Sequence, residues 1–149
     1  ELLQPSAVNW LKQDLIPLAF LLTPNIPEAE RLTGMTIRTL EETREAAKAL
    51  YQLGCQHVLI KGGHSLEHPA TDLLYDGRFF RMYKGDVIDT KTTHGTGCTY
   101  ASAITAQLAL GKPIADAIEA AKTYTTSAIL HGLPIGHGHG PTNHFFFLS

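Results

Sequence analysis

The feature that most narrows the fold is a glycine-punctuated turn between a short apolar run and a helical pattern. Val87-Ile88 leads into Asp89-Thr90-Lys91-Thr92-Thr93-His94-Gly95-Thr96-Gly97-Cys98-Thr99, and Ala101, Ala103, Ile104, Ala106, Leu108 and Ala109 follow as an alanine-rich helical pattern. An extended run, a Gly-x-Gly turn and a helix, in that order, describe one unit of an α/β fold. Glycine lets the backbone reverse tightly, and Gly97 is a candidate for a positive φ. The amides that open the following helix have no intrahelical partner and sit at the positive end of its dipole. Gly95, Thr96 and Gly97 are therefore expected to present backbone N–H groups to a phosphate or another oxyanion. Cys98 falls in the first helical turn, where the same field favours thiolate over thiol. The plainer alternative is a turn that only packs a strand against a helix, with Cys98 a small buried residue.

The rest of the chain alternates between helical and extended patterns. Pro5-Ser6 reads as a helix start with Ser6 as N-cap, Val8, Trp10, Leu11 and Leu15 as apolar positions, and Pro17 as the end. Leu18–Leu22 reads as a parallel strand covered on both faces. Asn25-Ile26-Pro27-Glu28 then opens a short helix with a capping box, at the C-terminal end of a strand, where open α/β sheets hold their ligands. Thr39-Leu40-Glu41-Glu42 is a second capping box; Ala46, Ala47, Leu50 and Leu53 face inward on its helix, and Gly54 is the expected C′ residue. His57–Ile60 is a second buried strand. It ends in Lys61-Gly62-Gly63-His64, where a lysine could meet phosphate oxygens as a point charge, although lysine in a turn is by default solvated.

Asp72–Tyr75 and Arg78–Arg81 flank Asp76-Gly77, which predicts a hairpin with a type I′ turn at a sheet edge. Gly85–Ile88 is expected to return to the sheet. After Gly111-Lys112-Pro113, Ile114, Ala117, Ile118, Ala121, Tyr124, Thr125 and Ala128 recur at helical spacing, with Lys122 beside the stripe. His131, His137, His139 and His144 populate the glycine-rich tail. His-x-His invites a zinc reading, but no cysteine or carboxylate lies within the tail to complete a ligand set.

The segment DTKTTHGTGCT (89–99) closely resembles the anion-hole motif of the ribokinase-like kinases, in the form carried by the hydroxymethylpyrimidine and phosphomethylpyrimidine kinases of thiamine biosynthesis. In sugar kinases of that superfamily an aspartate stands at the Cys98 position. LLTPNIPEAERL (21–32), VLIKGGH (58–64) and GLPIGHGHGPTNHF (132–145) match further segments in the family's order. The resemblance covers nearly the whole chain but only the C-terminal half of the family's fold. It implies a three-layer α/β/α fold with a mostly parallel sheet, with residues 1–149 as the C-terminal part of a single kinase domain. It also implies ATP as phosphoryl donor, Mg2+, and a small-molecule acceptor, hydroxymethylpyrimidine or its phosphate. Cys98 would be the base, and Gly95, Thr96 and Gly97 would stabilise the transferring group. Asn25, Glu28, Lys61, Thr90 and Lys122 would bind the nucleotide. Direct protein ligation of the metal is not implied; Glu28 would reach Mg2+ through water. The tail needs no metal in this resemblance.

Composition limits the other classes. The chain is 149 residues long, 44% hydrophobic and 17% charged, which suits one core-forming domain or part of one. A formal net charge of −2 gives no electrostatic case for nucleic acid or an anionic membrane. Leu18–Leu22 is far too short to span a bilayer. Two cysteines, Cys55 and Cys98, do not form a disulfide framework, so a cytoplasmic setting is expected. The chain opens at Glu1 without methionine, as a fragment or processed product would. An unpaired apolar strand edge would favour a homodimer. Three alternatives stand beside the pyrimidine kinase: a pyridoxal or pyridoxine kinase, a hydrolase with Cys98 as nucleophile and His94 as base, and a non-catalytic nucleotide-binding half-domain.

Overall fold

A computed structural model describes residues 5–64 and 69–148. They fall into two compact units, Glu1–Lys84 and Gly85–Ser149.

The first unit is built on three helices and a small sheet. Helix α1 (Pro5–Trp10) runs into a π-helical stretch, Leu11–Leu15, and then a 3-10 turn, Ile16–Leu18. The cap expected of the Ser6 side chain lies outside the described side chains. Pro17 sits inside the 3-10 turn rather than ending a regular helix. The wider π turn changes which residues face inward. Ile16 is fully buried and Val8 and Leu11 pack on the core, whereas Trp10 and Leu15, expected inside, are exposed.

Leu18–Leu22 does not form the expected strand. Leu18 belongs to the 3-10 turn and is 80% exposed, and regular pairing is reduced to isolated parallel bridges, Leu22 with Val58 and Asn25 with Lys61. Backbone bonds from Gln56 N to Ala19 O, Leu22 N to His57 O, Leu59 N to Leu22 O and Lys61 N to Pro24 O still lay this segment along β1 (Val58–Ile60). On its other side β1 pairs with β2 (Asp72–Tyr75), which pairs with β3 (Phe80–Tyr83), both antiparallel. The expected mostly parallel sheet is not seen in the described residues, where the ladder is antiparallel and only the bridges are parallel. Among the described residues no helix of crossover length separates β1 from β2 or β2 from β3, and parallel neighbours need such a crossover. β1 is consequently an interior strand, and Val58, Leu59 and Ile60 are buried.

The hairpin turn lies one residue beyond its predicted place. Asp76 N donates to Phe79 O at 3.3 Å, so Gly77 and Arg78 are the central pair. Gly77 has φ 91° and Arg78 has no positive φ, the pattern of a Gly-first turn rather than type I′. A Cβ at Gly77 would strike the Tyr51 ring, which packs edge-on against Tyr75 with centroids 5.4 Å apart. The Asp76 carboxylate accepts from Phe79 N (2.7 Å) and Arg78 N (2.8 Å), and these two bonds hold it below the usual carboxylate range.

Both predicted capping boxes form. α2 (Ile26–Thr33) is capped by Asn25 and Glu28, and α3 (Leu40–Tyr51) by Thr39 and Glu42. Ala46, Ala47 and Leu50 of α3 are fully buried against β1 and β2, beside Ala29 and Leu32 of α2. Gln52 is the C-cap of α3, so Gly54, expected at C′, lies one residue beyond that position and takes the reversal at φ 108°.

In the second unit, residues 85–93 contain no strand, so the expected strand at Gly85–Ile88 does not form, and Val87 is exposed. α4 (Thr96–Ala109) and α5 (Ile114–Leu130) pack on each other. α5 buries the predicted stripe of Ala117, Ile118, Ala121, Thr125 and Ala128. α4 buries Thr99, Tyr100 and Ile104, while Ala106 and Ala109 of its predicted apolar set stay exposed. No helix among the described residues is long and apolar enough to cross a membrane.

Candidate active site

At the head of α4 the backbone turns through Gly95, whose φ is 83°; the left-handed residue is Gly95 and not Gly97. Gly95 O accepts from Thr99 N (2.9 Å) and from the Thr99 hydroxyl (2.9 Å), which locks the first turn. Thr96 is partly spent: its N–H and hydroxyl both point back to Thr93 O, at 3.3 and 2.8 Å. Among the described residues, the amides of Gly97 and Cys98 have no acceptor. Cys98 is an exposed free thiol, not the small buried residue of the plainer reading. Thr93, His94, Gly95, Thr96, Gly97, Cys98 and His139 line one open cleft of about 470 Å3. Unpartnered amides, a helix N-terminus and a thiol thus share a space large enough for phosphate groups.

The turn is braced from behind. Thr92 Oγ1 donates to Ile129 O (3.3 Å), so in its 2.8 Å contact with Thr90 the Thr90 hydroxyl is the donor. Thr92 N also donates to Thr90 Oγ1 at 3.2 Å. The hydroxyl of Thr90, expected on the nucleotide, is thus bonded to Thr92 on the near side of the turn. The tail adds a second brace. His94 N donates to Gly140 O (3.1 Å), Thr142 N to His94 O (3.3 Å), and the Thr99 and Thr142 hydroxyls meet at 3.4 Å. Gly132 and Gly140 are required here, because a Cβ would collide with the Thr92 side chain at Gly132 and with Leu133 O at Gly140.

A second cavity of about 540 Å3 runs along α4 from Gly95 and Cys98 past Ser102 to Gln107, with Tyr124 and His144 on its other wall. The Tyr124 hydroxyl donates to His144 O at 2.9 Å. Gln107 Oε1 is buried with no hydrogen-bond partner. Sequence periodicity pointed to none of Ser102, Gln107 or His144, because the turns that gather them are distant in sequence. Lys122 places its ammonium over the Tyr100 ring, 5.9 Å from the centroid. No hydrogen bond joins Cys98 to His94 among the described residues, and no three His, Cys, Asp or Glu side chains there are grouped to hold a metal ion.

In the first unit the predicted trio comes together. Asn25 Oδ1 accepts from Glu28 N (2.8 Å), and Glu28 Oε2 accepts from Asn25 N (2.7 Å). Lys61 Nζ stands 4.0 Å from that same Glu28 oxygen. The Asn25–Lys61 bridge sets this proximity. Gly62 follows because its N–H donates to the buried Asp72 carboxylate at 2.9 Å, while a Cβ there would overlap Thr71 O. Asp72 was not singled out from sequence; its position one residue after a turn gave no signal.

The two units together carry the fold of known small-molecule kinases. The chain superposes on Bacillus subtilis pyridoxal kinase, solved as an ADP complex, with TM-score 0.91 and 40% identity, covering 98% of this chain and 57% of that one. The phosphomethylpyrimidine kinase family model matches residues 1–143, and the chain belongs to that family. It is 52% identical over 147 residues to the hydroxymethylpyrimidine/phosphomethylpyrimidine kinase of Bacillus subtilis, covering 98% of this chain and 54% of that protein. It is 53% identical over 143 residues to the thiamine biosynthesis bifunctional protein ThiED of Geobacter sulfurreducens, covering 96% of this chain and 29% of that protein. The chain therefore spans about half the length, or less, of these relatives.

Proposed function

We propose that the chain is the C-terminal part of a ribokinase-like domain that transfers phosphate from ATP to hydroxymethylpyrimidine and then to its monophosphate. The observation that carries this is the pair of unpartnered amides, Gly97 and Cys98, beside the exposed Cys98 thiol. In the transfer, the acceptor's hydroxymethyl oxygen attacks the γ-phosphorus, the bond from phosphorus to the β,γ-bridging oxygen breaks, and ADP leaves. Cys98 takes the proton released from the attacking hydroxyl; such base catalysis contributes ~10²–10⁴-fold. The amides of Gly95, Gly97 and Cys98 hold the charge on the transferring group, with Thr96 in a lesser part because its N–H is already engaged. Thr90 acts indirectly, by fixing the turn through Thr92.

In the first unit, Lys61 would neutralise phosphate charge, and Asn25 and Glu28 would hold Mg2+ through water. Glu28 suits this role because it is an exposed anion held in place by its capping bonds. Mg2+, when bound, supplies charge neutralisation on the phosphate oxygens. Lys122 is assigned to the rim of the nucleotide site. The whole domain adopts the three-layer α/β/α arrangement, functions in the cytoplasm with Cys55 and Cys98 reduced, and is a homodimer.

Pyridoxal phosphorylation is the second reading, supported by the likeness to pyridoxal kinase. The test uses the complete domain, this chain preceded by the N-terminal part that its relatives possess. With Mg2+ and ATP it should phosphorylate hydroxymethylpyrimidine faster than pyridoxal, and Cys98→Ala should lower kcat by about 10²-fold while ATP still binds. Undiminished turnover by Cys98→Ala would remove the thiol from the mechanism.

A further inference from the structure

The histidine tail is not idle packing. His139 lines the cleft over the head of α4, while His137, two residues earlier in the same exposed stretch, does not. The fold builds this placement. Leu133 N donates to Pro141 O (3.1 Å), closing the tail on itself, and His94 N donates to Gly140 O (3.1 Å), pinning the next residue to the anion turn. Gly140 is buried at that seam, and nothing larger than hydrogen fits there. The side chains lining the cleft include no lysine or arginine; beyond hydroxyls and the thiol they offer the imidazoles of His94 and His139. His94 belongs to the turn itself, whereas His139 is delivered by a separate segment. A phosphate seated on backbone amides gains most from a donor that can also carry charge.

We propose that His139 is a phosphate-binding residue whose ring N–H donates to the oxyanion held by the amides of Gly97 and Cys98. This rests on the kinase reading of the same cleft. It assigns the Gly-His-Gly-His-Gly tail to ligand recognition, and it explains why a flexible, glycine-rich segment is stitched so closely to the turn.

The test measures AMP-PCP and adenosine binding to the complete domain by calorimetry, together with the His139 ring-proton resonance. His139→Ala should weaken AMP-PCP about ten-fold or more and leave adenosine affinity unchanged, since only the former carries phosphate. His139→Gln, which keeps an N–H donor, should recover part of the loss, and His137→Ala should match the unmodified protein. The His139 resonance should move on adding AMP-PCP. Wild-type AMP-PCP affinity in His139→Ala, alongside lost affinity in Gly97→Val, would overturn the role of His139 alone. Wild-type affinity in Gly97→Val would overturn the anion seat and this inference with it. Equal losses for AMP-PCP and adenosine in His139→Ala would mark a folding effect and also overturn the inference.

Discussion

Lys61 Nζ lies 4.0 Å from Glu28 Oε2, the oxygen that also accepts the Asn25 backbone N–H at 2.7 Å. One carboxylate thus serves the helix cap and faces a cation from the end of β1. An ion pair this long, with Glu28 57% exposed, contributes only about 0–1 kcal/mol. A pair this weak leaves Lys61 available for the phosphate role proposed for it above.

The capping role of Glu28 and the metal-ordering role proposed for it can be tested apart. Glu28→Gln keeps an acceptor at the capping position, so urea unfolding should move by less than about 0.5 kcal/mol. Activity of the complete domain should still fall ~10–100-fold, the usual cost of losing a residue that orients a metal's shell. Asn25→Ala removes the cap itself and should cost ~0.5–2 kcal/mol of stability. A Glu28→Gln enzyme with full turnover would leave Glu28 a capping residue only.

Gly95 and Gly97 should respond differently to a methyl group. Gly95 has φ 83°, so Gly95→Ala forces a side chain into the left-handed region and should cost about 1–2 kcal/mol. Gly97 lies inside the helix without a positive φ, so Gly97→Ala should leave stability unchanged or raise it by up to about 1 kcal/mol. Gly97→Val crowds the amides, and it should weaken AMP-PCP binding far more than it changes thermal stability. Matching melting temperatures for Gly95→Ala and Gly97→Ala would contradict this division.

How much of this was legible in the sequence depended on how local the cause was. The capping boxes at Asn25 and Thr39 are four-residue events, and both could be read directly. The turn into α4 was equally local, apart from which glycine became left-handed. Leu18–Leu22 had a strand's composition, yet the π stretch before it carried the chain into a 3-10 turn at Leu18. The hairpin shifted because Gly77 must clear Tyr51, a residue on α3 that no local pattern couples to it. His139 reaches the cleft only through bonds between the turn and a distant tail, so its spacing resembled a metal motif and revealed nothing of its placement.

The two thiols should react in sequence. Cys98 is exposed, while Cys55 is 2% exposed, lies 3.6 Å from Leu50 O, and has its thiol pushed up by burial. Iodoacetamide should therefore label Cys98 in the folded chain and Cys55 only after denaturant is added. AMP-PCP should slow the labelling of Cys98 in the complete domain. Simultaneous labelling of both cysteines in the absence of denaturant would show that the first unit opens readily.

Acid should weaken the hairpin through Asp76. Its carboxyl is held low by Phe79 N–H and then Arg78 N–H, so its folded value lies below the unfolded one of about 3.9. The stability it adds is fully present above that unfolded value and is lost as pH falls through the folded value. Glu42 behaves alike, held low by the Arg38 and Thr39 amides. Asp76→Asn retains an acceptor that does not titrate. Its denaturant midpoint should fall less steeply below pH 4 than that of the unmodified chain, and parallel curves would exclude Asp76 from the acid transition.

This chain by itself should turn over little substrate. α4 has no charged residue from Thr96 to Ala109 yet buries only Thr99, Tyr100 and Ile104. A helix without a charged face is normally covered on more than one side. Large apolar side chains are open as well: Leu18 at 80%, Leu110 at 77% and Phe79 at 74%. The chain spans 54% of its Bacillus subtilis pyrimidine-kinase relative, and in the doubly wound fold proposed for the whole domain the ligand would lie across strands from both halves. Exposed apolar surface of this kind drives self-association. Light scattering should therefore report a dimer or larger species, and an assay with Mg2+, ATP and hydroxymethylpyrimidine should show little product. Adding the N-terminal part in trans should raise turnover and reduce the self-association together. Robust turnover by a monomer of this chain would mean that the acceptor binds wholly within these 149 residues.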